Sequence, residues 1–284
     1  MFEYQAPEHI QHFIHEALKE DLGDGDHTSL ATVPASATGS ASLLVKDTGV
    51  LAGVELAKAI FTYVDPNLNL TFFKQDGDWI EPGMTVLEVN GPSQSILKAE
   101  RLVLNCMQRM SGIATYTRSL VQIIHGTKAK LLDTRKTTPN FRLAEKWACK
   151  IGGATNHRYG LFDMILIKDN HVDFAGGIAA ALEKAFAYNQ ARAHALAIEI
   201  EVRNEAELEE VLKIGGVQRI MLDNFSPSEL RDAIRKIGGR FITEASGGIN
   251  ETTLRAYAET GVDFISVGAL THHIKSLDLS LKAK

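Results

Sequence analysis

Seven cationic side chains fall between residues 135 and 168: Arg135, Lys136, Arg142, Lys146, Lys150, Arg158 and Lys168. Only Glu145 and Asp163 oppose them, so this stretch carries about +5 in a chain whose formal charge is −5. Guanidinium forks and ammonium groups bind carboxylates and phosphates through charge-assisted hydrogen bonds. Their concentration in a glycine-rich stretch of a mildly acidic protein points to a site for a small, highly charged anion. The helical spacing of Arg142, Lys146 and Lys150 also fits a solvated helix face or a subunit contact.

A second set of chemistry-bearing residues recurs at the ends of short apolar runs. KLLD, MILIK, IEIEV, RIMLD, FITEAS and FISVG finish on Asp133 with Arg135, Lys168, Glu201, Asp223, Glu244 with Ser246, and Ser266 with Gly268. Within IEIEV the side-chain period of two puts Ile198, Ile200 and Val202 on one face and Glu199 and Glu201 on the other. The same parity turns Lys168, Asp223, Glu244 and Ser246 toward the carboxylate side. Inward charges are tolerable only if they pair, bind metal or meet a charged ligand. Ser246-Gly247-Gly248 and Gly268-Ala269 follow two late runs, where exposed backbone N–H groups could receive a phosphate.

These runs need elements to carry them. The last four are evenly spaced: Glu201 to Asp223 is 22 residues, Asp223 to Glu244 is 21, and Glu244 to Ser266 is 22. That is one strand-plus-helix unit each, which implies parallel strands. Six or seven such units suit a closed α/β barrel, whose active sites lie at the C-terminal strand ends. No GxGxxG turn follows a first strand, which weakens a dinucleotide-binding sheet. Upstream, residues 8–20 read as an amphipathic helix and EDLGDGDHTS as a turn-rich stretch. Residues 38–98 read as short strands, ASLLVKD, LNLTFFK, TVLEVNG and SQSILKA, with a turn at Trp79–Gly83. Residues 99–125 read as a long helix whose polar stripe, Arg101, Asn105, Gln108 and Gly112, is suited to a ligand or a partner subunit.

Bulk properties narrow the class. A chain of 284 residues with 45% hydrophobic and 23% charged residues has the make-up of a globular enzyme. A pI near 6.1 argues against a broad nucleic-acid surface. Cys106 and Cys149 read as reduced core thiols. No apolar run reaches the ~20 residues that span a bilayer. The start, MFEYQAPEHIQHF, lacks a signal-peptide pattern, so the expected location is the cytoplasm.

LLDTRKTTPNFR, GGATNHRYGLFDMILIKDNH, IEIEV, IMLDN and EASGGI, in this order and spacing, resemble the quinolinate phosphoribosyltransferase family. So do EDLGDGDHTS, ERLVLNCMQRMSG and TGVDFISVGALTHH, and the likeness covers nearly the whole chain. One departure is His27, where the family more often has an aliphatic residue. The resemblance implies a type II phosphoribosyltransferase. Its architecture is a seven-stranded, TIM-like α/β barrel over residues 114–269, an N-terminal α/β sandwich over 1–113, and a segment, 270–284, returning to the sandwich.

The resemblance also implies a reaction: quinolinate and 5-phosphoribosyl-1-pyrophosphate give nicotinate mononucleotide, carbon dioxide and pyrophosphate, with Mg²⁺ and no organic cofactor. By this likeness Thr134, Arg135, Lys136, His157, Arg158 and Lys168 would hold the dicarboxylate. Arg101 would reach the site of a neighbouring subunit in a homodimer, or in a larger assembly such as a hexamer. Glu201 and Asp223 would serve the ribose hydroxyls and Mg²⁺, and with Lys136 and Lys168 form the catalytic set. Ser246, Gly247, Gly248, Val267, Gly268 and Ala269 would cradle the 5′-phosphate. No nucleic acid or membrane partner is implied. The alternatives are a relative with another acceptor, such as nicotinate, and a non-catalytic metabolite-binding barrel.

Overall fold

The computed structural model describes residues 3–284; Met1 and Phe2, which belong to the stretch read for a leader, lie outside the described residues. In chain order the elements begin with α1 (Pro7–Leu22), α2 (His27–Thr32), β1 (Thr38–Val45), β2 (Gly49–Val50), α3 (Val54–Val64), β3 (Asn69–Phe72), β4 (Trp79–Ile80) and β5 (Thr85–Pro92). Then come α4 (Ser93–Ile123), β6 (Lys130–Leu132), α5 (Arg142–Gly152), β7 (Ile165–Ile167), α6 (Asp169–Ala175), α7 (Ile178–Gln190), β8 (Ile198–Val202) and α8 (Glu205–Ile214). The chain ends with β9 (Arg219–Asp223), α9 (Pro227–Ile237), β10 (Ile242–Ser246), α10 (Leu254–Ala258), β11 (Phe264–Ser266), α11 (Ala269–His272) and β12 (Leu279–Ala283). Two compact units result: residues 3–119, 136–153 and 270–284 form an antiparallel unit, and residues 120–135 and 154–269 a parallel one.

The antiparallel unit is built on a four-stranded sheet in the order β12-β1-β5-β3. Alternation in β1 puts Ala41, Leu43 and Val45 in the core. α1 buries Ile14 and Leu18, two residues of its expected apolar face. Two segments depart from the sequence reading. SQSILKA is not a strand but the first two turns of α4, which starts at Ser93 straight after β5. Its short apolar pair Ile96-Leu97 after a Gly-Pro turn signal reads like a strand, yet Leu97, Lys98, Ala99 and Glu100 are good helix formers that continue the 31-residue helix. HTS in the turn-rich stretch opens α2, because Asp26 accepts the Ser29 N–H at 3.0 Å as an N-cap.

The polar stripe of α4 divides into two halves. Arg101 and Asn105 are exposed. Gln108 and Gly112 instead hold the C-terminal segment: Gln108 Nε2 donates to the Leu279 carbonyl at 2.8 Å, and Gln108 O accepts the Leu277 N–H at 3.0 Å. A Cβ on Gly112 would sit 2.3 Å from the Lys275 carbonyl oxygen, so only glycine lets the two backbones approach this closely. The second half of the stripe thus packs on this chain itself.

The parallel unit carries six strands in the order β6-β11-β10-β9-β8-β7. All neighbours are parallel, as the spacing requires. The seventh position of the expected barrel is a single parallel bridge, Leu132 to Thr155, rather than a strand. The chain leaves the ladder after Thr155 because buried Asp133 takes the next polar groups, accepting from Asn156 Nδ2 at 2.5 Å and from His157 N–H at 2.8 Å. Among the described residues no ladder joins Thr155 to β7. No helix among them is long and apolar enough to cross a membrane.

Candidate active site

The parity read in the sequence fixes the inner face of the parallel unit. β8 and β9 pair Glu199 with Arg219 and Glu201 with Met221; β10 and β9 pair Ser246 with Asp223. Two tiers of charge follow, one deep and one near the C-terminal strand ends.

The deep tier joins buried Glu199, Glu244 and His157 with half-buried Arg219. Arg219 Nη1 lies 2.9 Å from Glu244 Oε2 and 3.7 Å from Glu199 Oε2. His157 Nε2 lies 3.1 Å from Glu199 and 3.5 Å from Glu244. The Arg219 guanidinium also stacks 4.8 Å from the centre of the Phe264 ring. Burial pulls the His157 imidazole down, but its hydrogen bonds to Glu199 and Glu244 prevail and raise it to about 9. Burial also raises Glu199, reinforced by the charge of Glu244. For Glu244 burial acts upward, yet His157 and Arg219 hold it below the usual carboxylate range. The Arg158 N–H lies 2.6 Å from His157 Nδ1, so Nε2 is the nitrogen that faces the carboxylates.

His157, Glu199 and Glu244 also have the spacing of a metal-ligand triad. The guanidinium 2.9 Å from one of these carboxylates already neutralises it and would repel a cation. The cluster is therefore a salt-bridged barrel floor, and His157 is 8% exposed, its Nε2 directed into that floor. Arg219 was not among the sequence candidates. Its signal was available: it shares inward parity with Met221 and Asp223, but it starts its strand instead of ending it.

The upper tier holds the mouth. Lys168 Nζ bonds Glu201 Oε2 at 2.5 Å; the lysine side chain is 43% exposed and the glutamate's 7%. Asp223 is half-buried and accepts from Asn224 Nδ2 at 2.6 Å. Arg135 and Arg158 lie within electrostatic range: burial first, and the Arg135 charge second, lower the Arg158 guanidinium. Arg158 Nη1 donates to the Met164 carbonyl at 3.2 Å, whereas the Arg135 Nε–H is buried with no acceptor. Thr134 is half-buried beside them in sequence.

At the glycine turns, Gly247 has φ +99° and a Cβ there would fall 2.2 Å from Asn224 Oδ1. That glycine is needed for the packing of the β9 and β10 turns, where the Asn224 N–H also donates to Ser246 O at 2.9 Å. Gly248, at φ +61°, faces open space. Val267 is buried, and Gly268 and Ala269 are half-buried.

Two further residues belong to the antiparallel unit. Arg101 is exposed on α4, and Lys136 is exposed at the start of the loop before α5. The basic helix face expected at Arg142, Lys146 and Lys150 is only partly solvated. Lys150 is exposed, Arg142 donates to Thr137 Oγ1 at 2.9 Å, and Lys146 is completely buried. Cys106 and Cys149 are free and buried.

Residues 26–111 match the N-terminal domain of the quinolinate phosphoribosyl transferase family, and residues 113–282 its C-terminal domain. The chain is 45% identical to the chloroplastic nicotinate-nucleotide pyrophosphorylase [carboxylating] of Oryza sativa subsp. japonica, over 95% of this chain and 76% of that protein. It is 41% identical to the probable nicotinate-nucleotide pyrophosphorylase [carboxylating] of Bacillus subtilis, over 96% and 92%. The solved structure of NadC from Streptococcus pyogenes superposes with a TM-score of 0.90 at 39% identity, covering 98% of this chain and 96% of that one. With both domain profiles matched in order along nearly its whole length, the chain belongs to the quinolinate phosphoribosyltransferase family.

Proposed function

We infer that this chain is a decarboxylating quinolinate phosphoribosyltransferase of NAD biosynthesis. It joins quinolinate to 5-phosphoribosyl-1-pyrophosphate and releases carbon dioxide and pyrophosphate, leaving nicotinate mononucleotide. The observation that carries the acceptor is the pair Arg135 and Arg158. Two like charges held in mutual range, one with a buried N–H lacking an acceptor, suit a dianion that bridges them.

In this reading Thr134, Arg135, Lys136, Arg158 and Lys168 hold the pyridine dicarboxylate, with Arg101 contributed by the neighbouring subunit of a homodimer. His157 supports them from the floor. The ring nitrogen attacks ribose C1 as the bond to pyrophosphate breaks, and positive charge develops on the ribose. Glu201, buried against Lys168, stabilises that charge electrostatically. The C2–carboxylate bond then breaks toward the cationic ring, and C2 takes up a proton. Asp223 binds ribose hydroxyls, while Ser246, Gly247, Gly248, Gly268 and Ala269 receive the 5′-phosphate; Val267, whose N–H donates to the Leu132 carbonyl at 3.0 Å, supports that turn from below.

Mg²⁺ would be held at the mouth by hard oxygens of Asp223 and of Glu201, whose Oε2 is bonded to the Lys168 ammonium, with substrate phosphates completing its ligands. When bound it neutralises charge on the departing pyrophosphate. The proposed location is the cytoplasm. Purified protein supplied with quinolinate, the phosphoribosyl donor and Mg²⁺ should yield nicotinate mononucleotide, carbon dioxide and pyrophosphate in equal amounts. Turnover of nicotinate but not quinolinate would refute the acceptor, and near-normal rates in both Lys136→Ala and Lys168→Ala would refute the site.

A further inference from the structure

A closed circuit of hydrogen bonds surrounds the backbone of Lys136 within the antiparallel unit. Thr271 Oγ1 donates to the Lys136 carbonyl at 2.7 Å. The Thr271 carbonyl in turn accepts Arg109 Nη2 at 2.5 Å. Arg109 donates through Nε and Nη2 to Glu145 Oε1, at 3.1 and 3.0 Å. Glu145 closes the ring on the lysine's own loop: Oε2 accepts the Thr138 N–H and Oε1 the Thr138 hydroxyl, both at 3.0 Å. A fourth arm, Arg109 Nη1 to the Ile274 carbonyl at 3.0 Å, ties the circuit to the C-terminal segment.

The circuit joins three stretches far apart in sequence: α4, the loop with the first turns of α5, and α11 with the segment after it. Glu145 and Thr271 are 0% and 1% exposed, so the acceptor at the centre of the circuit and the donor to Lys136 are buried. Glu145 spends both carboxylate oxygens on it. A buried carboxylate satisfied by four donors is a rigid node, because losing any donor leaves part of a charge uncompensated. Lys136 is exposed, and the circuit holds its backbone at two points, its own carbonyl and the Thr138 N–H two residues on.

We propose that Glu145, Arg109 and Thr271 are positioning residues for Lys136, setting the point from which its ammonium group meets the substrate. The inference rests on the reading of Lys136 as a substrate-contacting residue. It adds that the reaction depends on three side chains, two buried and one half-buried, that touch neither substrate.

A double-mutant cycle tests this on the full-length protein. Thr271→Val keeps the shape of the side chain and removes the donor to the Lys136 carbonyl. It should lower kcat about tenfold, the scale expected of a sub-ångström to 1 Å displacement of a catalytic group. Thr271→Ser, which keeps the hydroxyl, should restore kcat to within about twofold of wild type. In a Lys136→Ala background Thr271→Val should change kcat by less than about twofold, since the group it positions is gone. If Thr271→Val does not fold, Thr138→Val serves in the same cycle, because it removes one bond of the circuit and leaves the buried charge pair intact. An equal loss from Thr271→Val with and without Lys136 would overturn the proposal in favour of general packing. Wild-type kinetics in Thr271→Val and Glu145→Gln, with Lys136→Ala impaired, would overturn the circuit alone. Wild-type kinetics in Lys136→Ala would instead remove the premise taken from the proposed function.

Discussion

Arg219→Met removes the one permanent cation of the barrel floor while keeping a long apolar stem over Phe264. Two buried carboxylates, Glu199 and Glu244, then face only His157. Breaking a buried pair by deleting one partner costs about 3–5 kcal/mol, because the survivor is left without compensation. For a protein of this size each kcal/mol moves the midpoint by roughly 2–4 °C, so the variant should melt about 10 °C or more below wild type. The pH dependence gives the sharper check. Arg219 is one of the groups that keep Glu244 below the usual range. Without it, burial prevails and the Glu244 carboxyl rises. A group whose folded pKa is raised adds stability at low pH and loses it as pH rises. The deficit should therefore be largest near pH 8 and shrink toward pH 5, where protonation supplies the missing charge. Thermal and urea unfolding followed by circular dichroism at both pH values measures it. A deficit below about 1 kcal/mol, or one that grows on acidification, would refute the charge-balance argument for the floor.

Wild-type protein should itself lose stability as pH rises from about 6.5 toward about 9, since His157 is raised to about 9 in the folded state. His157→Gln should abolish that slope in urea titrations at pH 6 and 9. Gly247→Ala forces a Cβ 2.2 Å from Asn224 Oδ1 at φ +99°; it should destabilise by about 2 kcal/mol or more and weaken binding of the phosphoribosyl donor in calorimetry. Gly112→Ala drives a methyl to 2.3 Å from the Lys275 carbonyl, so limited proteolysis should cut near residue 275 faster than in wild type. Burial pushes the Cys106 thiol up to about 12, so it should resist thiol reagents in the native protein and react only on unfolding.

The strands of the parallel unit were legible because each is short, apolar and closed by a polar residue, and because β8 alternates strictly. That same period of two placed Glu199, Glu201, Glu244 and Ser246 on the inner face, with Lys168 and Asp223 at the mouth. Where local pattern and tertiary context disagree, the reading fails. Ser93–Ala99, short and set off by a Gly-Pro turn signal, reads as a strand but is drawn into α4. Glu145 reads as one of two acids offsetting a basic run, yet its carboxylate is fully buried and engaged by Arg109, 36 residues away. Nothing near it in sequence announces that. Arg219 is hidden from a reading of strand ends because it opens β9. The missing seventh strand was equally hidden, since only the fold brings Asp133 to the loop that begins at Asn156.

The pairing of β1 with β12 has a consequence for how this protein is made. Ala41 lies opposite Ala283, with almost the entire chain between them. A ribosome delivers β1 early, and its outer edge must wait, unpaired, until residues 279–283 emerge. Closing so long a loop is slow, and an open strand edge is a template for pairing with another nascent chain. Whatever shields the edge of β1 during synthesis, a chaperone or speed of completion, decides how much of the newly made protein reaches the native sheet.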